Sequence, residues 1–262
     1  MSSGERPRLV ERTIDVLLAL ADGPSSFGVM SQRTELSKAT LHRILGALSH
    51  QQFVVQDPVD GKYMLGAGCY RLMTSLTLGR GGIGTISRPG LERLQALCGE
   101  TIVVHVRAGR DRICVEELAS PHPLRYVNGV GLAAPLHVGS AGKVLLAWLD
   151  EYTLEQILPV DLPRLTEQTV VDRATLREEL KLARQQGWAQ SAGERVVGAA
   201  AISAPVFGAN SEVVASVSIL GPSARLTDER LHDLKDPLLN TAQWISRQIQ
   251  AIDAGAGPTE AI

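Results

Sequence analysis

The sequence predicts an α+β protein in two parts: a three-helix head closed by a hairpin, then a larger domain in which strands alternate with helices. Three observations carry this. Helix-spaced apolar residues mark the first fifty positions, two short β-prone runs flank a turn just after them, and glycines at 79, 81, 82 and 84 separate that block from a longer stretch of mixed periodicity. At 262 residues the chain is also long for one hydrophobic core.

In order, Val10, Ile14, Leu17, Leu18 and Ala21 recur at helical spacing until Asp22-Gly23-Pro24 ends the pattern, giving a first helix. A short second helix fits Phe27 to Arg33. Ser37 can cap a third, with Leu41, Ile44, Leu45 and Leu48 as its buried stripe and Ala39, His42, Arg43 and Gly46 opposite. Phe53 to Gln56 and Lys62 to Leu65 then read as strands around the five-residue loop Asp57 to Gly61. Three helices followed by a hairpin make a winged helix-turn-helix over residues 8–66. A linker helix on Leu72, Met73, Leu76 and Leu78 and a glycine-rich joint occupy 67–84.

Beyond the joint, Leu91, Leu94 and Leu97 mark a helix. Ile102 to Val106 and Arg112 to Leu118 form strands around a turn at 108–111, and a helix covers Ala141 to Leu149. Asp172 caps a helix with Leu176, Leu180 and Ala183 on one face, ended by Gly187. Val196 to Phe207 and Val213 to Leu220 are strands, and a last helix starts near Asp228 with Leu231, Leu234, Leu238, Ile245 and Ile249 apolar. Hairpin-spaced strands among helices make residues 85–252 an α+β sheet domain, with a disordered tail at 253–262.

Composition excludes several classes. No apolar run approaches a membrane span, and Met1 to Arg12 is too polar for a secretory signal, which points to a cytoplasmic protein. Cys69, Cys98 and Cys114 are odd in number and far apart, so neither a disulfide framework nor a thiolate zinc site is signalled. Net charge is −2, with nine Lys/Arg against seven Asp/Glu through Arg80 and 17 against 21 beyond. That asymmetry decides little, because phosphate binding depends on where basic groups stand.

Position is what the third helix offers. A recognition helix presents small polar and basic side chains on one face near its N-terminus. Ser37-Lys-Ala-Thr-Leu-His-Arg43 meets this demand: Ser37, Lys38 and Thr40 suit phosphates, with Ala39 on the same face, while His42 and Arg43 suit base edges. Lys62 and Tyr63 on the wing, and Arg6 and Arg8 on the arm, suit backbone or minor groove. A winged helix can also serve as a protein-docking module.

Several motifs tempt toward other chemistry. Ser140-Ala-Gly-Lys143 lacks the first glycine of a phosphate loop, which would stand at His137, and Val144 replaces the required Ser or Thr. Its helix start can still aim backbone N–H groups at a carboxylate. Gly79 to Gly84 formally matches G-x-G-x-x-G, but Pro89 interrupts the segment after it and no βαβ unit surrounds it. Ser191 with Asp228 and His232 occurs in hydrolase order without a matching framework, and lining a binding pocket is the better role for Ser191. His105, His122, His137, Glu116 and Glu117 lack tight metal-ligand spacing. The residues therefore indicate no catalytic group, metal or cofactor.

The stretch Arg8 to Leu65, with Glu11-Arg12, Leu36-Ser-Lys-Ala-Thr-Leu-His-Arg-Ile-Leu45 and Asp60-Gly61-Lys62-Tyr63, resembles the DNA-binding domain of the IclR family of bacterial regulators. Pro135-Leu-His-Val-Gly-Ser-Ala-Gly-Lys-Val-Leu-Leu-Ala147 resembles the segment opening that family's central effector-domain helix. Gly187-x3-Ser191-x2-Glu194-x6-Ala201-Ile202-Ser203-x2-Val206-Phe207 matches its signature in order and spacing. The likeness spans Arg8 to Gln250. Two positions depart from it: Gly208 stands where Asp or Asn is usual, and Thr34-Glu35 where the turn between helices two and three often carries Gly.

The resemblance implies a GAF-like effector domain whose ligand lies between the sheet and the helix after Pro135-Leu-His. Ser140, Ala141, Ser191, Ala201, Ser218 and Leu220 would form its wall. Ala201 and Leu220 are apolar and only the three serines are hydroxylic, which suits an aromatic or other weakly polar carboxylic acid. The resemblance also implies a homodimer, often paired into a tetramer, on a pseudo-palindromic double-stranded DNA operator. Its effector would shift operator affinity only through unequal affinity for two arrangements.

Overall fold

A computed structural model gives the structure of the chain and describes residues 8–57, 60–66, 68–69, 72, 82–158 and 161–253. Contacts divide the chain into two compact units, Met1–Gly79 and Arg80–Ile262. Arg6, most of the expected linker helix, and residues 254–262 of the expected tail lie outside the described residues.

In the first unit, α1 (Arg8–Ala21), α2 (Phe27–Arg33) and α3 (Lys38–His50) precede the hairpin of β1 (Val54–Gln56) and β2 (Tyr63–Leu65). Ser26 and Ser37 begin α2 and α3 by accepting from Val29 N and Thr40 N, as N-cap hydroxyls do. Val54 stands opposite Leu65 and Gln56 opposite Tyr63. The α3 stripe Leu41, Ile44, Leu45 and Leu48 is buried with Met30, Leu36 and Val54.

The first helix holds a surprise. Val10, Ile14 and Leu18, which mark it in the sequence, are exposed, and its buried residues are Val16, Ala19 and Leu20. Apolar residues cover much of its circumference, so periodicity finds the helix but only docking chooses the inward face. The turn from α2 into α3 places Glu35 at φ +53°, left-handed backbone that glycine adopts at lower cost.

The second unit begins with α4 (Gly82–Cys98) and the hairpin β3 (Thr101–Ala108) and β4 (Asp111–Leu118). Gly82 and Gly84, expected in a flexible joint, lie in the first turn of α4, and the helix continues through Pro89. Residues 79–81 lie outside the described residues. Next come β5 (Ala133–Pro135), α5 (Gly139–Ala147), α6 (Glu151–Ile157), α7 (Arg173–Gln186), β6 (Ala189–Ala192), β7 (Ala199–Phe207), β8 (Val213–Pro222) and α8 (Asp228–Asp253). Asp172 caps α7 and Gly187 ends it at φ +83°.

The six strands form one antiparallel sheet in the order β5-β4-β3-β8-β7-β6. Strand alternation gives its faces different chemistry. Ile102 and Val104 of β3, Ile202 and Ala204 of β7, and Val217 and Ile219 of β8 share an aliphatic core with α4 and α8. On the other side, α5 packs with α6 and α7 through Val144, Leu145, Leu146, Leu154, Leu176 and Leu180. Residues one step along the strands, including His105, Ala201, Ser203 and Ser218, face α5. Val196 and Val197 precede β7 instead of opening it, and the short β5, β6 and α6 add to the elements that periodicity marks.

Candidate functional site

The exposed face of α3 carries Lys38, Ala39, His42, Arg43 and Gly46, opposite its buried stripe. Arg8 is exposed at the start of α1. Ser37 is committed to its cap, and its hydroxyl lies 2.9 Å from that of Thr40. Lys62 holds Asp60 at 2.8 Å on the wing, which lowers the carboxyl and raises the ammonium relative to their ordinary values. Both groups are exposed, so a phosphate can replace Asp60. Tyr63 is half-buried against the head's core, and its backbone bonds Ser25 in both directions at 2.9 Å. It is placed to brace the wing.

In the second unit, the start of α5, strands β3, β4, β6, β7 and β8, and two loops at 126–128 and 193–196 line a cavity of about 90 Å³. Ser140, Ala141, Ser191, Ala201, Ser218 and Leu220, picked from separate stretches of sequence, all line it. The serines are cross-linked: Ser140 Oγ lies 2.7 Å from Ser203 Oγ, which lies 2.7 Å from Ser218 Oγ.

Every residue of α5 is buried, so the N–H groups at its start need partners inside the protein. Gly139 N donates to Glu194 Oε2 at 2.9 Å and Ser140 N to Ser191 Oγ at 3.0 Å. The first two N–H groups are thus occupied, against the expectation that they stand free for a carboxylate. Gly139 takes φ +78° to make this entry.

Lys143 is not a phosphate-loop lysine either. Its side chain is 3% exposed, and Nζ lies 2.5 Å from Glu194 Oε1 and 2.7 Å from Glu179 Oε2, the latter without hydrogen-bond alignment. The Gly of the Gly-Lys pair serves packing: a Cβ on Gly142 would stand 1.8 Å from Leu136 O. The same signature glutamate therefore fixes both the opening and the second turn of α5.

Positive charge in the cavity comes from residues that the sequence did not single out, Arg112 and Arg195. Arg112 is 4% exposed; Nη1 donates to Pro135 O at 2.8 Å and Val138 O at 2.6 Å. Burial pushes it down to about 10, with Arg195 adding to the shift and Glu194 and Asp111 opposing it, so it stays cationic at neutral pH. Burial, then Arg112 and Arg195, hold His105 well below its ordinary range, leaving it neutral. Three buried atoms on lining residues lack hydrogen-bond partners: Arg112 Nε, His105 Nδ1 and Asn128 Oδ1. Each such atom costs about 1–3 kcal/mol, and all three belong to residues that line the cavity. Arg112 reads in sequence as an ordinary strand arginine beside a turn, and Asn128 sits in a loop without a motif.

The other tempting groups are dispersed. Ser191 accepts from α5, while Asp228 and His232 stand on the first turns of α8. His137 is bonded to Pro163 O at 2.9 Å, Glu116 to Arg88, and Glu117 Oε2 accepts from Asn128 N and Gly129 N. Among the described residues no three His, Cys, Asp or Glu side chains converge as a metal site. No helix among them is long and apolar enough to cross a membrane.

Known proteins match both units. The helix-turn-helix domain of IclR matches residues 9–58, and the C-terminal domain of the bacterial transcriptional regulator IclR matches residues 76–247. The HTH-type transcriptional repressor AllR of Escherichia coli (strain K12) is 33% identical over 240 residues, 90% of this chain and 88% of that protein. The crystal structure of Thermotoga maritima IclR aligns with a TM-score of 0.74 at 24% identity, covering 92% of this chain and 98% of that one. An IclR homolog from Microbacterium hydrocarbonoxydans, complexed with 4-hydroxybenzoate, aligns at 0.72 with 23% identity, over 91% and 99% of the two chains. Matched in both halves and in the same order, this chain belongs to the IclR family of bacterial transcriptional regulators, which bind DNA and are not enzymes.

Proposed function

We propose that this chain is a repressor whose grip on a pseudo-palindromic operator is set by a small, weakly polar carboxylic acid bound in the cavity beside α5. The observation that carries the reading is the cavity itself: six residues chosen on sequence grounds meet there, together with the buried cation Arg112. Arg112 Nη1 hydrogen-bonds carbonyls, so a ligand carboxylate supplies a countercharge in direct contact, nearer than Glu194 and Asp111, while Ala201, Leu220, Val127 and Val196 offer apolar wall to the ligand's body. That the same fold holds 4-hydroxybenzoate in the Microbacterium protein supports an aromatic acid.

In this reading Arg43 and His42 read base edges, and Lys38, Thr40, Arg8 and Lys62 contact the phosphate backbone. Ala39 allows close approach, and Ser37 and Tyr63 hold the helix start and the wing. Two heads of a homodimer, or of a tetramer built from dimers, occupy the half-sites. The acid acts by binding one arrangement of the heads more tightly than the other.

The test is a mobility shift of the full chain on DNA flanking its own gene, titrated with salt and repeated with Arg43→Ala. Specific binding that falls steeply with salt and weakens about 10- to 100-fold in the variant is expected. No preference for that DNA over unrelated DNA at low salt overturns the reading. Adding benzoates and short aliphatic acids to the complex tests the ligand class: release by two- or three-carbon acids alone would rule out the larger guest.

A further inference from the structure

The cavity beside α5 holds about 90 Å³, well under the roughly 300 Å³ from which small-molecule sites usually start. A guest as large as an aromatic acid therefore needs one wall to give way. Most walls are fixed. Every residue of α5 is buried, and Glu194 and Ser191 pin its start. Strands β3, β4, β6, β7 and β8 belong to one sheet. The strap 119–132, which lines the cavity through residues 126–128, is tied down along its length. Arg225 donates to Leu124 O at 3.0 Å and Thr101 Oγ1 to Tyr126 O at 2.8 Å; Glu117 accepts from Asn128 N at 2.6 Å, and Gly131 N donates to Cys114 O at 2.8 Å.

Residues 195–197 differ. The positions on either side are held, since Thr169 Oγ1 donates to Glu194 O at 2.7 Å and Ser223 N to Gly198 O at 2.8 Å. Between them, Arg195 and Val196 line the cavity, while Val196 and Val197 are 42% and 69% exposed, so little buried apolar surface holds the segment down. Among the described residues, one hydrogen bond joins 195–197 to the protein beyond the loop 193–199: Tyr126 Oη donates to Val197 O at 3.1 Å. Gly198 makes room for it, because a Cβ there would stand 3.2 Å from the tyrosine oxygen. The bond runs from the strap to the opposite loop, both of which line the cavity.

From this contrast we infer that residues 195–197 are a flap that opens to admit the effector, with Tyr126 Oη on Val197 O as its latch. Opening breaks one exposed hydrogen bond and uncovers little apolar surface, whereas moving the strap or α5 breaks several bonds at once. The flap carries Arg195, so closing returns a second cation to the cavity beside Arg112. The inference rests on the effector reading for what enters, but its test needs no effector.

The experiment places a reporter thiol on the cavity wall of the full chain, by Ser218→Cys or, independently, Ala201→Cys, with melting transitions to verify folding. Alkylation by iodoacetamide and by the bulkier N-phenylmaleimide is followed site by site, each rate divided by that of the same reagent with free glutathione. In the closed protein the bulkier reagent is expected to be the slower. Tyr126→Phe is expected to raise its rate at the reporter about three- to tenfold, the cost of one hydrogen bond, and to leave native Cys98, which lies outside the cavity lining, within twofold. A reporter rate that Tyr126→Phe changes less than twofold overturns the latch. Equal rates for the two reagents before that substitution, or no labelling with or without it, overturn the flap. Because no acid is added, each of these failures leaves the effector reading standing, and failure of the acid screen leaves the flap standing.

Discussion

Lys143 Nζ lies 2.5 Å from Glu194 Oε1, with the two side chains 3% and 7% exposed, and this pair ties the second turn of α5 to the loop after β6. The other carboxylate oxygen of Glu194 accepts from Gly139 N, and Thr169 Oγ1 donates to its backbone carbonyl at 2.7 Å. A buried charge that loses its partner is costly, about 3–5 kcal/mol. Glu194→Gln should therefore destabilise the protein by roughly 3 kcal/mol in urea unfolding, with Glu179 softening the loss at Lys143. A change below about 1 kcal/mol would show that the pair is not structural.

Two helical glycines should respond to alanine with opposite signs. Gly142→Ala drives a Cβ to 1.8 Å from Leu136 O, so α5 must shift, and a loss of about 1–3 kcal/mol or more is expected. Nothing stands within 4 Å of the corresponding position on Gly46 in α3, where alanine is expected to stabilise the helix by about 0.5–1 kcal/mol. Paired denaturant curves check both, and equal responses would refute the packing argument.

Glu35→Gly relieves left-handed backbone at φ +53° in the turn that aims α3. The strain removed exceeds the chain entropy that glycine adds, and a gain of about 0.5–1 kcal/mol is expected. The exposed Glu35 side chain contributes no compensating burial. A lowered melting temperature would mean that the side chain makes a contact worth more than the strain.

Acid should weaken the fold partly through His105. In the unfolded chain it takes a proton near its ordinary 6.5, whereas in the cavity it stays neutral to well below that value. The unfolded state then binds more protons, so stability is full above about pH 6.5 and falls as pH drops below it, by up to about 1.4 kcal/mol per pH unit. His137, held low first by its own burial, adds in the same direction. His105→Gln should flatten the slope of stability against pH between 6.5 and 5; an unchanged slope would show that His105 charges in place.

Much of this protein was legible in its sequence because the signals are local. Ser37 and Asp172 start helices through their own side chains, Gly187 ends one because φ +83° costs it little, and the α3 stripe at i, i+3, i+4 and i+7 is buried. The order of motifs pointed to the family, and six residues named along the chain meet at one cavity. Tertiary structure decided what distant partners control. It chose the inward face of α1, where apolar residues offered more than one stripe, and it made Gly142 a packing residue by setting Leu136 O against it. It occupied the first N–H groups of α5 with Glu194 and Ser191, and it buried Arg112, His105 and Asn128 around one space. Spacing along a chain encodes caps and periodicity, but the partner of a buried charge is fixed only when separate strands and helices close on it.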